Sequence, residues 1–292
     1  MIASGPDGAL WFTEQTANKI GRITTAGTVT EYPVPTAGSD PFGITAGPDG
    51  AMWFTELGGG KIGRITTSGT ITEFTSPNFF RPWNIALGPD GALWFTDNSS
   101  GDVGRITTAG VATEYPVPGI GSGQDREPFA LVTGPDGNLW VTDFIGAIDR
   151  VTPAGAVTRY ALPGNTEPDY ITTGSDGALW FALSFEYAIG RITISGAYSA
   201  DPTPQIDDRS YSSGIDGGPD GALWFTLNSS AIGRITTGGS VTECATPTSS
   251  SRPFGITQGS DGAMWFTEYQ AGKIGRIAVP TTPNIARGGS RR

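Results

Sequence analysis

The chain of 292 residues contains no histidine, and this single absence removes His-based general acid–base chemistry, Ser-His-Asp and Cys-His nucleophile systems and every His-ligated metal site. One cysteine, Cys244, cannot form an intramolecular disulfide or a thiolate metal cluster. Lysine is nearly missing too, with Lys19, Lys61 and Lys273 alone, and the formal charge is −10, so a nucleic-acid groove is not expected. No apolar run reaches the roughly 18 residues that span a bilayer, and the first ten residues read as a folded repeat rather than a leader. Low charge with abundant Gly, Thr and Ser leans towards a secreted or periplasmic setting. Glycine (44) and proline (22) are plentiful, which suits many short strands joined by tight turns.

A repeat is present instead. Tryptophan recurs at Trp11, Trp53, Trp94, Trp140, Trp180, Trp224 and Trp265, and each follows a G-P/S-D-G turn such as Gly47-Pro48-Asp49-Gly50. Periods of about 40 residues point to a propeller or solenoid. Within the second copy, Phe42 to Gly47, Ala51 to Thr55, Lys61 to Thr66 and Thr70 to Phe74 read as four strands, a to d. P-D-G makes a tight a–b hairpin, and a four-stranded unit of this size buries both faces only by stacking on its neighbours. The expected fold is therefore an all-β, seven-bladed propeller over residues 1–288, with a basic tip at 289–292. Its closure is incomplete on paper: the first copy opens inside strand a, and the seventh stops after strand c at Ile277. Residues Pro283 to Gly288 resemble the Pro82 to Gly88 strand a, so they form an eighth strand a or belong to a longer array.

The unit P-F-G-I-T-A-G-P-D-G-A-M-W-F-T-E…K-I-G-R-I-T…T-E-Y-P-V-P resembles the repeat of the virginiamycin B (streptogramin B) lyase family, over essentially the whole chain, and more loosely NHL-repeat and gluconolactonase-type propellers. The resemblance implies Mg²⁺-dependent elimination that opens a cyclic depsipeptide, with a histidine base from a P-H-G-I strand a, a Glu before it and a second Glu closing strand b. Here the strand a starts, such as Pro41-Phe42, Pro82-Trp83, Pro128-Phe129, Pro168-Asp169 and Pro253-Phe254, offer no histidine. Glu127 and Glu268 stand at the two glutamate positions.

Strand b runs back along strand a, so strand b ends and strand a starts share the rim opposite the G-P-D-G hairpins. The b ends give Glu14, Glu56, Asp97, Asp143 and Glu268, with Leu183 and Leu227 in blades five and six. A ligand-binding surface is expected from Phe42, Trp83, Phe129, Asp169, Tyr211, Phe254, Arg81 and Arg252, and a Mg²⁺ or Ca²⁺ site from Glu56, Glu127 and Glu268. Against these stand two structural roles: carboxylates that satisfy loop N–H groups, and aromatics that plug the channel mouth. The seven arginines of I-G-R-I or its close variants suit ion pairs or carbonyl contacts between blades, with the turn aspartates among the candidate partners, and Cys244, at the aromatic position of strand d, suits a packed thiol.

The reading that fits best is a non-catalytic scaffold that binds a small molecule or a protein through this acidic, aromatic rim. The alternatives are elimination with another base (Glu56, Glu127 or Tyr211) or a carboxylate-metal lactonase, for which Asn84 is the one obvious amide ligand.

Overall fold

A computed structural model describes residues 1–117, 128–164, 166–183, 185–203 and 212–280. The chain is all-β, seven antiparallel blades arranged as a propeller, with no helix among the described residues. Blade 1 is β1 (Ile2–Ser4), β2 (Leu10–Glu14), β3 (Lys19–Ile23) and β4 (Val29–Pro33); blade 2 is β5 (Pro41–Ala46), β6 (Ala51–Glu56), β7 (Lys61–Thr66) and β8 (Ile71–Thr75). Blade 3 is β9 (Pro82–Leu87), β10 (Leu93–Asp97), β11 (Asp102–Ile106) and β12 (Ala112–Pro116); blade 4 is β13 (Pro128–Thr133), β14 (Leu139–Asp143), β15 (Ala147–Val151) and β16 (Val157–Ala161). Blade 5 is β17 (Pro168–Thr173), β18 (Leu179–Leu183), β19 (Ala188–Ile192) and β20 (Tyr198–Pro202); blade 6 is β21 (Ser212–Gly217), β22 (Leu223–Leu227), β23 (Ala231–Ile235) and β24 (Val241–Ala245). Blade 7 has three described strands, β25 (Pro253–Gln258), β26 (Ala263–Glu268) and β27 (Lys273–Ala278).

Each blade is clamped at its hairpin by one repeated contact set. In blade 1, Asp7 Oδ1 accepts from Trp11 Nε1 (3.1 Å) and Oδ2 from Arg22 Nε (2.7 Å). The Arg22 guanidinium also lies 5.8 Å from the Trp11 ring centroid. The arginines therefore pair with the turn aspartate of their own blade, not across blades as expected from sequence. Burial works to raise the Asp7 pKa, but hydrogen bonds from Trp11, Arg22 and the Ala9 N–H outweigh it and hold the carboxyl below its ordinary value. Blade 4 relaxes the pattern: Asn138 Nδ2 donates to Asp136 Oδ2 (2.8 Å) and Arg150 stands off at 3.8 Å.

Apolar clusters fill the seams between blades. Trp11, Ile20 and Val34 of blade 1 pack on Met52, Phe54 and Ile65 of blade 2, and the other seams repeat this. Glycine in I-G-R-I is required by this packing, since a Cβ at Gly63 would lie 2.1 Å from the Phe54 ring. The ring closes by the same means. Ile2, Leu10, Phe12 and Ile23 of blade 1 meet Ala263 and Trp265 of blade 7, and every described sheet consists of strands consecutive in sequence. The proposed eighth strand a at Pro283 to Gly288 and the 289–292 tip lie outside the described residues.

Cys244 is exposed rather than packed. Elsewhere the residue at its position is covered by the c–d turn of the following blade, as Tyr32 is by Gly69 and Phe74 by Gly110, and blade 7 has no such turn among the described residues.

Candidate functional site

The strand a starts converge at the mouth of the central channel. Phe42, Trp83, Phe129, Tyr170 and Phe254 form a closed ring of aromatic side chains, with successive centroid separations of 4.2, 5.5, 5.2 and 5.7 Å and 6.1 Å from Phe254 back to Phe42. Two of these contacts are tilted and three are edge-to-face, a favoured geometry for aromatic pairs. The ring lies between a rim cavity of about 1000 Å³, lined by Phe42, Trp83, Phe129 and Phe254, and a channel space of about 190 Å³ that Tyr170 lines. It is thus both a plug and a floor. Blades 1 and 6 contribute no ring, and the contacts of Phe254 with Phe42 and with Tyr170 bridge their sectors.

A hydroxyl positions each aromatic that faces the cavity. Thr13, Thr55, Thr96 and Thr226, the threonines of W-F-T, donate to the carbonyls of Phe42 (2.8 Å), Trp83 (2.8 Å), Phe129 (3.1 Å) and Phe254 (2.8 Å) in the next described ring-bearing blade. Three of them also accept a strand a N–H of their own blade, from Gly43, Asn84 and Gly214, where the a–b register shifts. A β-bulge leaves such an N–H without a ladder partner, and the hydroxyl supplies one. These threonines and Tyr170 were missed from sequence. Tyr170 stands one place after the expected Asp169, where the other blades carry Gly43, Asn84, Ala130, Gly214 and Gly255, and only its aromatic character could have marked it. Asp169 is buried and supplies no part of the ring.

The remaining expected residues separate into groups. Arg81 places its guanidinium 5.9 Å from the Trp83 ring centroid, and Arg252 lines the cavity and donates to Asn228 Oδ1 (2.8 Å). Glu127 and Tyr211 lie outside the described residues. Asp97 accepts backbone N–H groups of Phe80, Arg81, Ser99 and Ser100, the loop-satisfying role set against a metal site. Asp143 pairs with Arg159 at 2.5 Å.

Glu56 is different. It is fully buried, both carboxylate oxygens lack a hydrogen-bond partner, and burial, with Glu73 adding to it and Lys61 opposing it, pushes its pKa up to about 7. It sits under the Gly58–Gly60 turn beside Ser39 and does not line the cavity, whereas Glu268 of blade 7 does. Among the described residues no group of three or more Cys, Asp or Glu side chains is gathered as a hard cation would need; of the expected trio Glu268 lines the cavity, Glu56 does not, and Glu127 lies outside the described residues.

Blade 4 carries a further cluster. Asp149 replaces the I-G-R-I glycine, Val141 replaces the phenylalanine that glycine makes room for, and Arg159 replaces the strand d glutamate. Arg159 reaches both Asp143 and Asp149 (3.2 Å). Burial raises the Asp149 pKa to about 7, against the pull of Arg159.

The sequence profile of the Virginiamycin B lyase family matches residues 1–124, 81–208 and 123–283. A curated virginiamycin B lyase of Bordetella bronchiseptica is 50% identical over 44 residues, 15% of this chain and 15% of that protein. Among solved structures, a streptogramin B lyase superposes with a TM-score of 0.87 at 35% identity, covering 94% of this chain and 91% of its own. Virginiamycin B lyase from Staphylococcus aureus gives 0.87 at 36% identity over 96% and 94%. A catalytically inactive His-to-Ala variant of the S. aureus enzyme, solved with Quinupristin, gives 0.77 at 39% identity over 86% and 85%.

Proposed function

The chain belongs to the virginiamycin B lyase family and contains no histidine, and from these two facts together we propose that it binds a cyclic depsipeptide of the streptogramin B type, or a molecule with similar flat apolar groups, without opening it. The observation that carries this reading is the aromatic ring beneath the rim cavity. Phe42, Trp83, Phe129 and Phe254, in tilted and edge-to-face contact, offer an apolar floor, while Glu14, Glu268 and Arg252 on the walls supply polar contacts. The similar S. aureus variant, inactive without its histidine, is nevertheless seen with Quinupristin, so that protein holds a ligand in the absence of that side chain. Binding energy and catalytic chemistry are separable in this way because only groups that act in the transition state raise the rate.

Elimination with a different base is the second reading. Glu56 has the proton affinity of a general base at neutral pH, but its enclosure away from the cavity opposes that role. Among the described residues no group of three or more Cys, Asp or Glu side chains is gathered to hold a cation for it.

Titration of the protein with Quinupristin, followed by tryptophan fluorescence and with Mg²⁺ present, should show saturable binding, and mass spectrometry of the same mixture should recover the intact macrocycle. Trp83→Ala should weaken binding by about 1–3 kcal/mol, the range for losing a large aromatic contact. Recovery of linear product would transfer the assignment to the lyase reading; a flat titration would remove both.

A further inference from the structure

Beneath the aromatic ring the channel holds a second space, about 190 Å³, lined by the inner strands of all seven blades, and its polar groups do not follow from the repeat. The residue before the strand a isoleucine or leucine is Gly43, Ala130, Gly214 and Gly255 in blades 2, 4, 6 and 7, so the fold there needs nothing larger than a methyl group. Blade 3 has Asn84 and blade 5 has Tyr170 in its place, and both line the space. The residue after that isoleucine or leucine stands opposite the repeat tryptophan, and in six blades it is alanine, valine or threonine. Blade 6 has Asp216, the one charged side chain at either position, and it lines the space too.

These departures bring polar groups together inside the circle of strands. Asp216 Oδ1 accepts from Thr172 Oγ1 (3.2 Å) and from Gly217 N (2.8 Å), while Thr257 and the Gln258 backbone approach the carboxylate from blade 7. Such donors favour the charged form, and burial acts against them, raising the pKa. No lysine or arginine lines the space, and the Met1 amine donates to Thr13 Oγ1 (2.7 Å), its pKa pushed down to about 5 by burial. Tyr170 is only 5% exposed, and its hydroxyl stands near Trp83 Nε1, yet neither buried atom completes a hydrogen bond. Asn84 Oδ1 accepts from Leu131 N (3.3 Å) and keeps a second lone pair. A carboxylate with no basic partner in an enclosed space is costly until a proton or a counter-ion joins it.

We propose that this space binds a single alkali-metal cation, K⁺ or Na⁺, with Asp216 supplying the charge and the hydroxyl and amide oxygens around the same space completing its shell together with water. The monovalent charge follows from the donor set. Hard divalent ions gather several carboxylates, whereas one carboxylate among neutral oxygens balances one positive charge. A space of this volume and polarity also admits ordered water. Threonine or valine at the Asp216 position suits the neighbouring blades, so filling the channel does not by itself account for an acid there. The site is separate from the rim: Asn84, Tyr170, Thr172, Asp216 and Thr257 line the channel space and none of them lines the rim cavity. The inference therefore does not rest on the ligand assigned to the aromatic floor.

Melting temperatures of the full chain in KCl, NaCl and tetramethylammonium chloride, at one ionic strength, test the site, because tetramethylammonium is too large to be held by these oxygens. The expected result is a saturable rise with K⁺ or Na⁺, of a few degrees once the ion exceeds its dissociation constant by about tenfold, and no rise with tetramethylammonium. Crystals grown in RbCl should show an anomalous peak in the channel beside Asp216. Asp216→Asn keeps the size of the side chain and removes its charge, and it should weaken the ion by more than about tenfold. Tyr170→Phe leaves the aromatic ring in place and should weaken it by about two- to tenfold, so the site is read even where the Asp216 variant does not fold. Melting set by ionic strength alone, a channel with water and no anomalous density, or an ion midpoint that neither substitution moves would each overturn the proposal. The first two of these outcomes mean that Asp216 keeps a proton instead.

Discussion

A threonine hydroxyl can donate once and accept twice, and the W-F-T threonines use this capacity to join two blades. Thr55 is fully buried, accepts from Gly43 N and donates to Trp83 O, both at 2.8 Å. Thr55→Val keeps the shape and removes both bonds, so it should cost about 1–3 kcal/mol in urea unfolding and loosen the ring at Trp83. Asp149 gives a second residue-scale case. The Phe-to-Val change at position 141 creates the room that the aspartate occupies, since a Cβ at the corresponding Gly104 would meet the Phe95 ring at 2.0 Å. Val141→Phe alone should destabilise the fold by about 1–3 kcal/mol through overpacking. Val141→Phe with Asp149→Gly should recover much of that loss, giving a favourable coupling energy in a double-mutant cycle; strict additivity would show that the two positions are independent.

At the scale of the element, each blade has a hairpin locked by its turn aspartate, and in blades 1 to 4 the aromatic of the fourth strand stacks on the tryptophan. The sequence repeats this unit so regularly that its four strands, their order and the P-D-G turns were all legible beforehand. What the repeat could not show is which side of a pairing an arginine would choose. The partner proved to be fifteen residues away within the blade, because β-strand pairing brings Trp11 opposite Arg22 and the hairpin carries Asp7 back to both. Cys244 shows the converse: its position in the repeat implied packing, whereas it is exposed, and the next blade has no covering turn among the described residues.

For the whole molecule, opposing titrations should shape stability. The turn aspartates, such as Asp7, Asp49 and Asp220, are held below their ordinary pKa of 3.8, so their contribution is present above that value and is lost as pH falls through the folded one. Glu56 and Asp149 are raised to about 7, so the folded chain keeps protons that the unfolded chain releases, and stability falls as pH rises from about 4.5 to about 7. Melting temperatures should therefore peak in mildly acidic buffer. Glu56→Gln should flatten the decline between pH 5 and 8 and leave the acid limb unchanged; an unchanged alkaline limb would show that the buried carboxylate is solvated in solution.

Period, turn chemistry and composition fix the local unit and the number of its copies, because both arise from residues near one another in the chain. The absence of histidine likewise needs no coordinates. The aromatic floor is a different kind of fact. Phe42, Trp83, Phe129, Tyr170 and Phe254 are separated by roughly one repeat or more and touch only because the blades close into a circle. The separation of Glu56 from the cavity that Glu268 lines is decided in the same way, by how the blades are placed around the circle. The order of the repeats makes consecutive blades neighbours, while packing of blade 1 on blade 7 closes the circle, a contact between the two ends of the chain that no local signal encodes.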